Sequence, residues 1–361
     1  MRVALAGGGT AGHVEPALSV AFQLLDSNVA GLESIVFLGS KTGLENSLVP
    51  ANGFRLETVA TFAMPRKVNL DLIKLPFRLW AARRAAVEIF KSNKVEVLVG
   101  FGGYVSVPAY LAAIQLRIPF IVHEANAKPG IANKIFARFA TRAVDTVPGS
   151  IKGALTLGIP IKREIKNLNR EELRSKSRNE LGLSSSGRVL LVFGGSQGAE
   201  QINKAISGFS DLLLENQISV IHVVGPNNLA HYQSRSHANG SRYLVMGYMS
   251  NMQVGYAASD LVLCRAGALT VAELSAIGLP AIFVPYPIGN GEQELNAAHL
   301  ISVGAALLVP NHLCTASNLA EIVLPIFKDS SRLMQMSTAG RNTQKIDAAK
   351  NMVSLIQEVC S

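Results

Sequence analysis

Short apolar runs alternate along the chain with longer stretches in which apolar residues return every three or four positions. In "RVALAGGGTAGHVEPALSVAFQLL" a buried strand over residues 3–6 runs into a glycine turn. A helix follows, with Leu18, Ala21, Phe22 and Leu25 predicted on its apolar face. The same grammar returns in "RVLLVFGGSQGAEQINKAISGFSDLL": a strand over 189–193, a turn over 194–198, and a helix presenting Ile202, Ala205, Ile206 and Phe209. Each stretch reads as the first βα unit of its own domain.

Further apolar runs alternate with helical stretches: "SIVFLG", "VEVLVGF" and "PFIVHE" in the first half, "ISVIHVVG", "LVLCRAG" and "PAIFVPY" in the second. Strands alternating with helices predict parallel sheets wound on both faces. The boundary is expected near "LGIPIKREI", where Gly158 and Pro160 interrupt the pattern and a charged, strand-poor segment follows. A last helix, over about residues 338–360, either stays in the second domain or crosses back to the first; periodicity does not choose. Ligands of doubly wound sheets sit at the carboxyl ends of the strands, where glycine turns open onto helix N-termini. Two such domains facing each other would hold a substrate in the cleft between them. Their helix N-termini favour phosphate, because the first N–H groups are unpaired and the helix dipole is positive there.

Composition narrows the picture. With 361 residues, 48% of them hydrophobic and 16% charged, the chain can bury a large core, more naturally in two domains than in one. Its 34 Lys and Arg against 25 Asp and Glu leave a net +9, which suits nucleic acid, an anionic membrane surface or phosphorylated substrates without choosing among them. The apolar run before the first glycines is too short for a signal peptide, and none is long enough to span a bilayer. Cys264, Cys314 and Cys360 are scattered and lack metal-ligand spacing, so neither a disulfide framework nor a zinc site is expected, and a cytoplasmic setting is.

The glycine spacing of "AGGGTAGHVEP" matches a dinucleotide fingerprint. That fingerprint needs an acid at the end of the second strand, roughly 20 residues beyond the glycines. Here the strand "SIVFLGS" ends in Gly39 and Ser40, with Lys41 after them, and Glu33 precedes it, so a dehydrogenase is disfavoured. The second half offers a better nucleotide site. "CRAGALTVAEL" turns through Gly267 into a helix starting at about Ala268 or Leu269, whose first N–H groups could hold a diphosphate. Glu273 then either accepts hydrogen bonds from a ribose diol or is only a favourable acid near a helix start; residue patterns alone leave these two readings even.

In this order, "GGGTAGHVEPAL", "GFGGYVSVP", "HEANAKPGIAN", "FGGSQGA" and "CRAGALTVAELSAIGLPAIFVPYP" closely resemble the MurG family of peptidoglycan glycosyltransferases, over nearly the whole chain. The resemblance implies an α/β GT-B fold: two Rossmann-like doubly wound parallel-sheet domains facing a central cleft. Residues 1–160 would form the acceptor and membrane side and 161–340 the UDP-N-acetylglucosamine side, with a helix over 341–361 that packs back on the first domain or not. It implies transfer of N-acetylglucosamine, with inversion, from UDP-N-acetylglucosamine to the C4 hydroxyl of N-acetylmuramic acid in undecaprenyl-pyrophosphoryl-MurNAc-pentapeptide (lipid I), giving lipid II. The implied location is peripheral, on the cytoplasmic face of the cell membrane. Cell-wall synthesis proteins are potential partners, and nucleic acid is not one.

The donor contacts implied by the resemblance fall on Thr10, Ala11, Gly12 and Asn126 in the first half. In the second they fall on Ser196, Met249, Ala268, Leu269, Thr270, Val271, Ala272, Glu273 and Gln293. Glu273 matches the family's ribose-binding acid. Three positions depart from the family pattern. Ala11 replaces a glycine, which requires an ordinary backbone angle there. "GIPIKR" places Lys162 where the family often has arginine, with Arg163 beside it, so either can be the donor contact. Glu292 replaces the first glutamine of a pair, leaving Gln293 as the sugar contact.

Inverting transfer needs a base for the attacking hydroxyl and stabilisation of the leaving diphosphate. No Asp-X-Asp triplet is present, and no metal or cofactor is expected; helix N-termini and cations would take the charge. His13, beside the first glycine turn, is the first candidate base, against a role in hydrogen-bonding its own loop. His123 and Glu124 are second candidates, better suited to positioning the acceptor. The segment "NLDLIKLPFRLWAARRAAVEIFK" sets Leu72, Ile73, Leu75, Phe77, Leu79 and Trp80 near Lys74, Arg78, Arg83 and Arg84. That suits an interfacial patch on anionic lipid, or else a buried apolar face with a basic rim. Two alternatives compete with transfer: a UDP-N-acetylglucosamine epimerase, and a non-catalytic nucleotide-binding scaffold.

Overall fold

Two sheets account for the alternation of apolar runs and helices. The computed structural model describes residues 1–60, 70–195, 197–288, 290–341 and 347–361. One unit comprises Met1–Lys162 with Ile346–Ser361, the other Arg163–Lys345.

In the first unit the strands are β1 (Val3–Gly7), β2 (Ile35–Gly39), β3 (Arg55–Thr58), β4 (Val97–Gly102), β5 (Phe120–Glu124), β6 (Arg142–Asp145) and β7 (Leu155–Thr156). They pair in the order β3-β2-β1-β4-β5-β6-β7, every pair parallel. Strands β1, β2, β4 and β5 are buried along their whole length, since helices cover both faces of a parallel sheet. This is why they read as unbroken apolar runs rather than as alternation. The outlying β3, "RLET", is half exposed and carries no such signal.

The second unit contains β8 (Arg188–Phe193), β9 (Ile218–Val223), β10 (Arg235–Ser236), β11 (Arg242–Met246), β12 (Leu261–Cys264), β13 (Ala281–Phe283) and β14 (Ala306–Leu308). Their order is β10-β11-β9-β8-β12-β13-β14, with only the short β10 antiparallel. In both sheets the chain winds outward on one side of the first strand and then returns to the other. Strand order therefore reverses between β1 and β4, and again between β8 and β12, where crevices open at the carboxyl ends. The glycine motifs occupy these places: residues 8–10 follow β1, Gly103 follows β4, Gly194 and Gly195 follow β8, and Gly267 lies beyond β12.

Two expectations are corrected. Helix Ala11–Asp26 buries Val14, Ala17, Leu18, Ala21 and Leu24, whereas Leu25 is half buried and Phe22 is 42% exposed. Phe22 lies on the flank of the apolar face, where its ring meets Phe54 edge-on at 5.1 Å. The single helix expected over 338–360 is two helices. Ser330–Arg341 ends in the second unit, and Ala348–Cys360 begins afresh at Asp347, whose side chain caps the Lys350 N–H. The second of these packs on Ala11–Asp26 and adds Met352, Val353, Leu355 and Ile356 to the cluster around Val3, Leu5 and Leu24.

Candidate active site

At the first reversal point the chain leaves β1 through a turn that only glycine makes easily. Gly9 has φ +86° and Thr10 returns to extended angles as the N-cap of the helix starting at Ala11. Ala11 has no positive φ, so the family's glycine is dispensable here. Gly12 lies in the first turn, where a Cβ would make only an ordinary contact with Thr10 Oγ1 at 3.8 Å.

The imidazole of His13 folds back over this turn. Its Nδ1 lies 3.0 Å from the Gly8 carbonyl and 3.4 Å from Thr10 Oγ1. A carbonyl oxygen only accepts, so in the neutral ring Nδ1 carries the proton and Nε2 keeps its lone pair. Gly102, at φ +101°, lies beside that nitrogen, and a Cβ there would come within 3.1 Å of Nε2. The glycine at 102 therefore sets no side chain against His13 Nε2.

A carboxylate that sequence reasoning missed holds the turn from beneath. Glu45 is buried, with Oε2 accepting from the Gly9 N–H at 2.8 Å and Oε1 from the Ser40 N–H at 2.8 Å and the Ser40 hydroxyl. Burial acts to raise its pKa, but the hydrogen bonds from Ser40 and Gly9 outweigh it and hold the carboxyl below the usual range. The space it fills exists because Gly8 and Gly39 lack side chains: a Cβ at either would fall 2.5–2.6 Å from Glu45 atoms. No spacing rule marks Glu45, which reads as an ordinary acid at the start of helix Glu45–Ala51.

His123 and Glu124 end β5 and are both buried. His123 Nε2 donates to the Gly158 carbonyl at 3.0 Å, and burial pushes the imidazole's pKa down, keeping it neutral. Glu124 accepts from the Asn126 N–H (2.9 Å), Asn126 Nδ2 (3.2 Å), the Gly130 N–H (3.1 Å) and Asn133 Nδ2 (3.0 Å). Asn133, also missed, is held in turn by the Tyr110 hydroxyl at 3.1 Å. The geometry makes Glu124 the organiser of the loop that presents Asn126. Lys162 forms an ion pair with Glu15 of the helix starting at Ala11, Nζ to Oε1 3.0 Å, and ends the first unit. Arg163 is exposed and opens the second.

In the second unit the residues implied by the resemblance gather largely on one helix. Ala268–Ile277 starts at Gly267, which has no side chain to cap the first turn. Ala268, Leu269 and Thr270 are half buried there, while Val271 and Ala272 are buried. Glu273 follows on the same helix, its Oε2 accepting from the buried Tyr256 hydroxyl at 2.7 Å. Met249 is buried beside Gly255. Gln293 accepts from the Tyr286 N–H at 2.9 Å. Ser196 lies outside the described residues. Among the described residues, no group of three His, Cys, Asp or Glu could hold a metal ion.

On helix Leu70–Ser92, Ala82, Ala86, Val87 and Phe90 face inward. Phe77 and Trp80 do not: they are 76% and 58% exposed, with the Arg84 guanidinium 5.8 Å from the Trp80 ring centre and Arg83 donating to Gln115. Leu75 and Leu79 are half buried and Arg78 is exposed; the side chains of Leu72, Ile73 and Lys74 lie outside the described residues. No helix among the described residues is long and apolar enough to cross a membrane.

Comparison with known proteins agrees along the whole chain. Residues 3–144 match the glycosyltransferase family 28 N-terminal domain, and residues 189–352 match the C-terminal domain of that family. A Rhodococcus erythropolis protein named UDP-N-acetylglucosamine--N-acetylmuramyl-(pentapeptide) pyrophosphoryl-undecaprenol N-acetylglucosamine transferase is 44% identical, over 100% of this chain and 95% of its own. The crystal structure of Acinetobacter baumannii MurG superposes with a TM-score of 0.76 at 29% identity, covering 99% of each chain. A Listeria monocytogenes structure assigned as a UDP-N-acetylglucosamine 2-epimerase reaches a TM-score of 0.71 over 99% of this chain and 96% of its own, but at 10% identity it shares the fold alone. With both halves matched and relatives this similar from end to end, the chain belongs to the MurG family of family 28 glycosyltransferases.

Proposed function

We propose that the chain transfers N-acetylglucosamine from UDP-N-acetylglucosamine to the C4 hydroxyl of the MurNAc sugar in undecaprenyl-pyrophosphoryl-MurNAc-pentapeptide, with inversion at the anomeric carbon. The observation that carries this reading is the 44% identity, over essentially full length, to a transferase named for that reaction. The donor's uracil and ribose belong to the second unit. There Glu273, its rotamer held by Tyr256, accepts from the ribose hydroxyls. The N–H groups of the first turn of Ala268–Ile277 face the diphosphate, where negative charge grows as the glycosidic bond breaks. Gln293 addresses the sugar, and either Lys162 or Arg163 supplies a cation.

His13 Nε2 takes the proton from the attacking hydroxyl. The hydrogen bond from Nδ1 to the Gly8 carbonyl fixes that tautomer and supports the charge that then forms on the ring. Glu124 holds the loop of Asn126, and His123, buried and hydrogen-bonded to Gly158, supports the same strand end.

The reading is tested by following UDP release with and without a lipid I analogue. Release that requires the acceptor, with Glu273→Gln raising the donor KM by about tenfold for one weakened charged hydrogen bond, is the expected result. Isomerisation of the sugar without acceptor would instead establish an epimerase, and binding without turnover a scaffold.

The acceptor's lipid requires a membrane surface, and exposed Phe77 and Trp80 flanked by Arg83 and Arg84 support helix Leu70–Ser92 as the contact. The surface in this reading is the cytoplasmic leaflet. Each cation near an anionic bilayer contributes about 1 kcal/mol, so Arg83→Glu with Arg84→Glu should weaken binding to phosphatidylglycerol vesicles by more than about tenfold. Sedimentation with vesicles checks this, and unchanged binding would remove the helix from the interface.

A further inference from the structure

A charged cavity lies at the end of the second unit's sheet opposite the glycine turns. Strands β8, β12 and β13 present their carboxyl ends to the turns described above; this cavity, about 370 Å³, is lined by residues at their amino ends, Arg188, Asp260 and Pro280. Arg170, Arg174 and Arg341 complete its basic wall.

The charges there do not balance. Asp260 is already shared: Arg174 and the fully buried Arg178 each bind one of its oxygens, and the Val189 N–H donates to it at 2.8 Å. Glu171, the other acid lining the cavity, lies 3.5 Å from Arg341, and both side chains are substantially exposed, so that pair contributes little. Among the described residues, Arg188 donates to the neutral Ser330 hydroxyl. Arg170 donates to the Gly278 and Ser259 carbonyls, but its Nε is buried with no hydrogen-bond partner among the described residues. Burial lowers the Arg170 pKa to about 10, with Arg341 and Arg174 adding to the effect against the pull of Asp260. A buried donor without an acceptor, among several cations sharing few anions, is a site short of negative charge.

We infer that this cavity binds a small phosphate-bearing anion of about diphosphate size, separately from the nucleotide turns at the other end of the sheet. Guanidinium forks match phosphate oxygens in charge and geometry, and the hydroxyls of Ser330 and Thr338 line the same space. The site is linked to helix Ala268–Ile277 at its far end. Gly278, the C-cap of that helix, accepts from both Arg170 and Ser337. An anion that draws on Arg170 therefore acts on the carbonyl end of the helix whose N-terminus faces the donor in the proposed reaction.

The test is calorimetric titration of the full chain with inorganic pyrophosphate, in the presence of saturating UDP to occupy the donor turns. Two variants are compared with the wild type. One is Arg188→Gln with Arg341→Gln. The other is Met334→Glu, at a lining residue 71% exposed, where a new charge repels an anion without disturbing the core. Saturable binding is expected, weakened about tenfold or more by each variant, as loss of a charge-assisted hydrogen bond or introduction of a like charge requires. Absence of saturable binding in the wild type, or an affinity less than about fivefold weaker in either variant, overturns the site.

Discussion

Replacing His13 with alanine should lower turnover by about 10²–10⁴-fold at saturating donor and acceptor, the usual contribution of a positioned general base. The donor KM should stay near its original value, because the His13 ring is not itself among the implied donor contacts. Thermal stability should change little, since His13 is half buried and its ring hydrogen-bonds to the turn beside it. Steady-state kinetics and a melting curve on one preparation separate these effects. Near-normal turnover would show that the Nδ1 hydrogen bond to Gly8 serves the loop alone, and the search for a base would have to leave this turn.

The second large effect is expected at Glu45, which never meets the substrate in this scheme. Glu45→Ala leaves the Ser40 N–H and hydroxyl without their acceptor in a buried space, and the Gly9 N–H at its edge without its own. It should cost about 2–5 kcal/mol, each unsatisfied buried group contributing about 1–3 kcal/mol. Turnover should fall as well, because Gly8 and Gly9 fix where His13 sits and a displacement of about 1 Å can cost about 10²-fold. The folded-state pKa of Glu45 lies below the ordinary value of 4.5. Its contribution is therefore complete above that value and lost as pH falls through the lower, folded one. Denaturation midpoints of wild type and variant should converge in that acid range and separate above it. A variant as stable as the wild type at neutral pH, with unchanged kcat, would reduce Glu45 to filler.

Glu45 also shows where the sequence stopped being legible. The glycine spacing of the first turn was readable, and so was the lack of an acid at the end of β2 to bind a ribose. An acid does serve that turn, but from a helix start beyond β2, and it spends both oxygens on the protein's own N–H and hydroxyl groups. Its role depends on the vacant α-carbons of Gly8 and Gly39, a three-dimensional fact with no one-dimensional period. The central strands were legible for the opposite reason: burial on both faces demands continuous apolar runs, and such runs survive any detail of packing. The outlying strands β3 and β6 carry polar residues on exposed positions and were not signalled. In the second unit, the Gly267 turn and Glu273 could be read as a nucleotide site from helix-start chemistry, but only the long ordered motifs separated that reading from an ordinary helical acid. Trp80 and Phe77 illustrate a further limit, because apolar residues at helical spacing look alike whether they are buried or exposed.

The helix Ala348–Cys360, which returns to the unit begun by residues 1–162, also sets an order of events during synthesis. The central cluster of that unit lacks Met352, Val353, Leu355 and Ile356 until the ribosome has passed them. By then Arg163–Lys345, a unit of its own, has already been made, and most of it is free to fold. The part of the chain made first is therefore finished last, and the face of Ala11–Asp26 that this helix covers stays open to chaperones or to misdirected contacts until then. A stop codon near residue 346 would make that delay permanent.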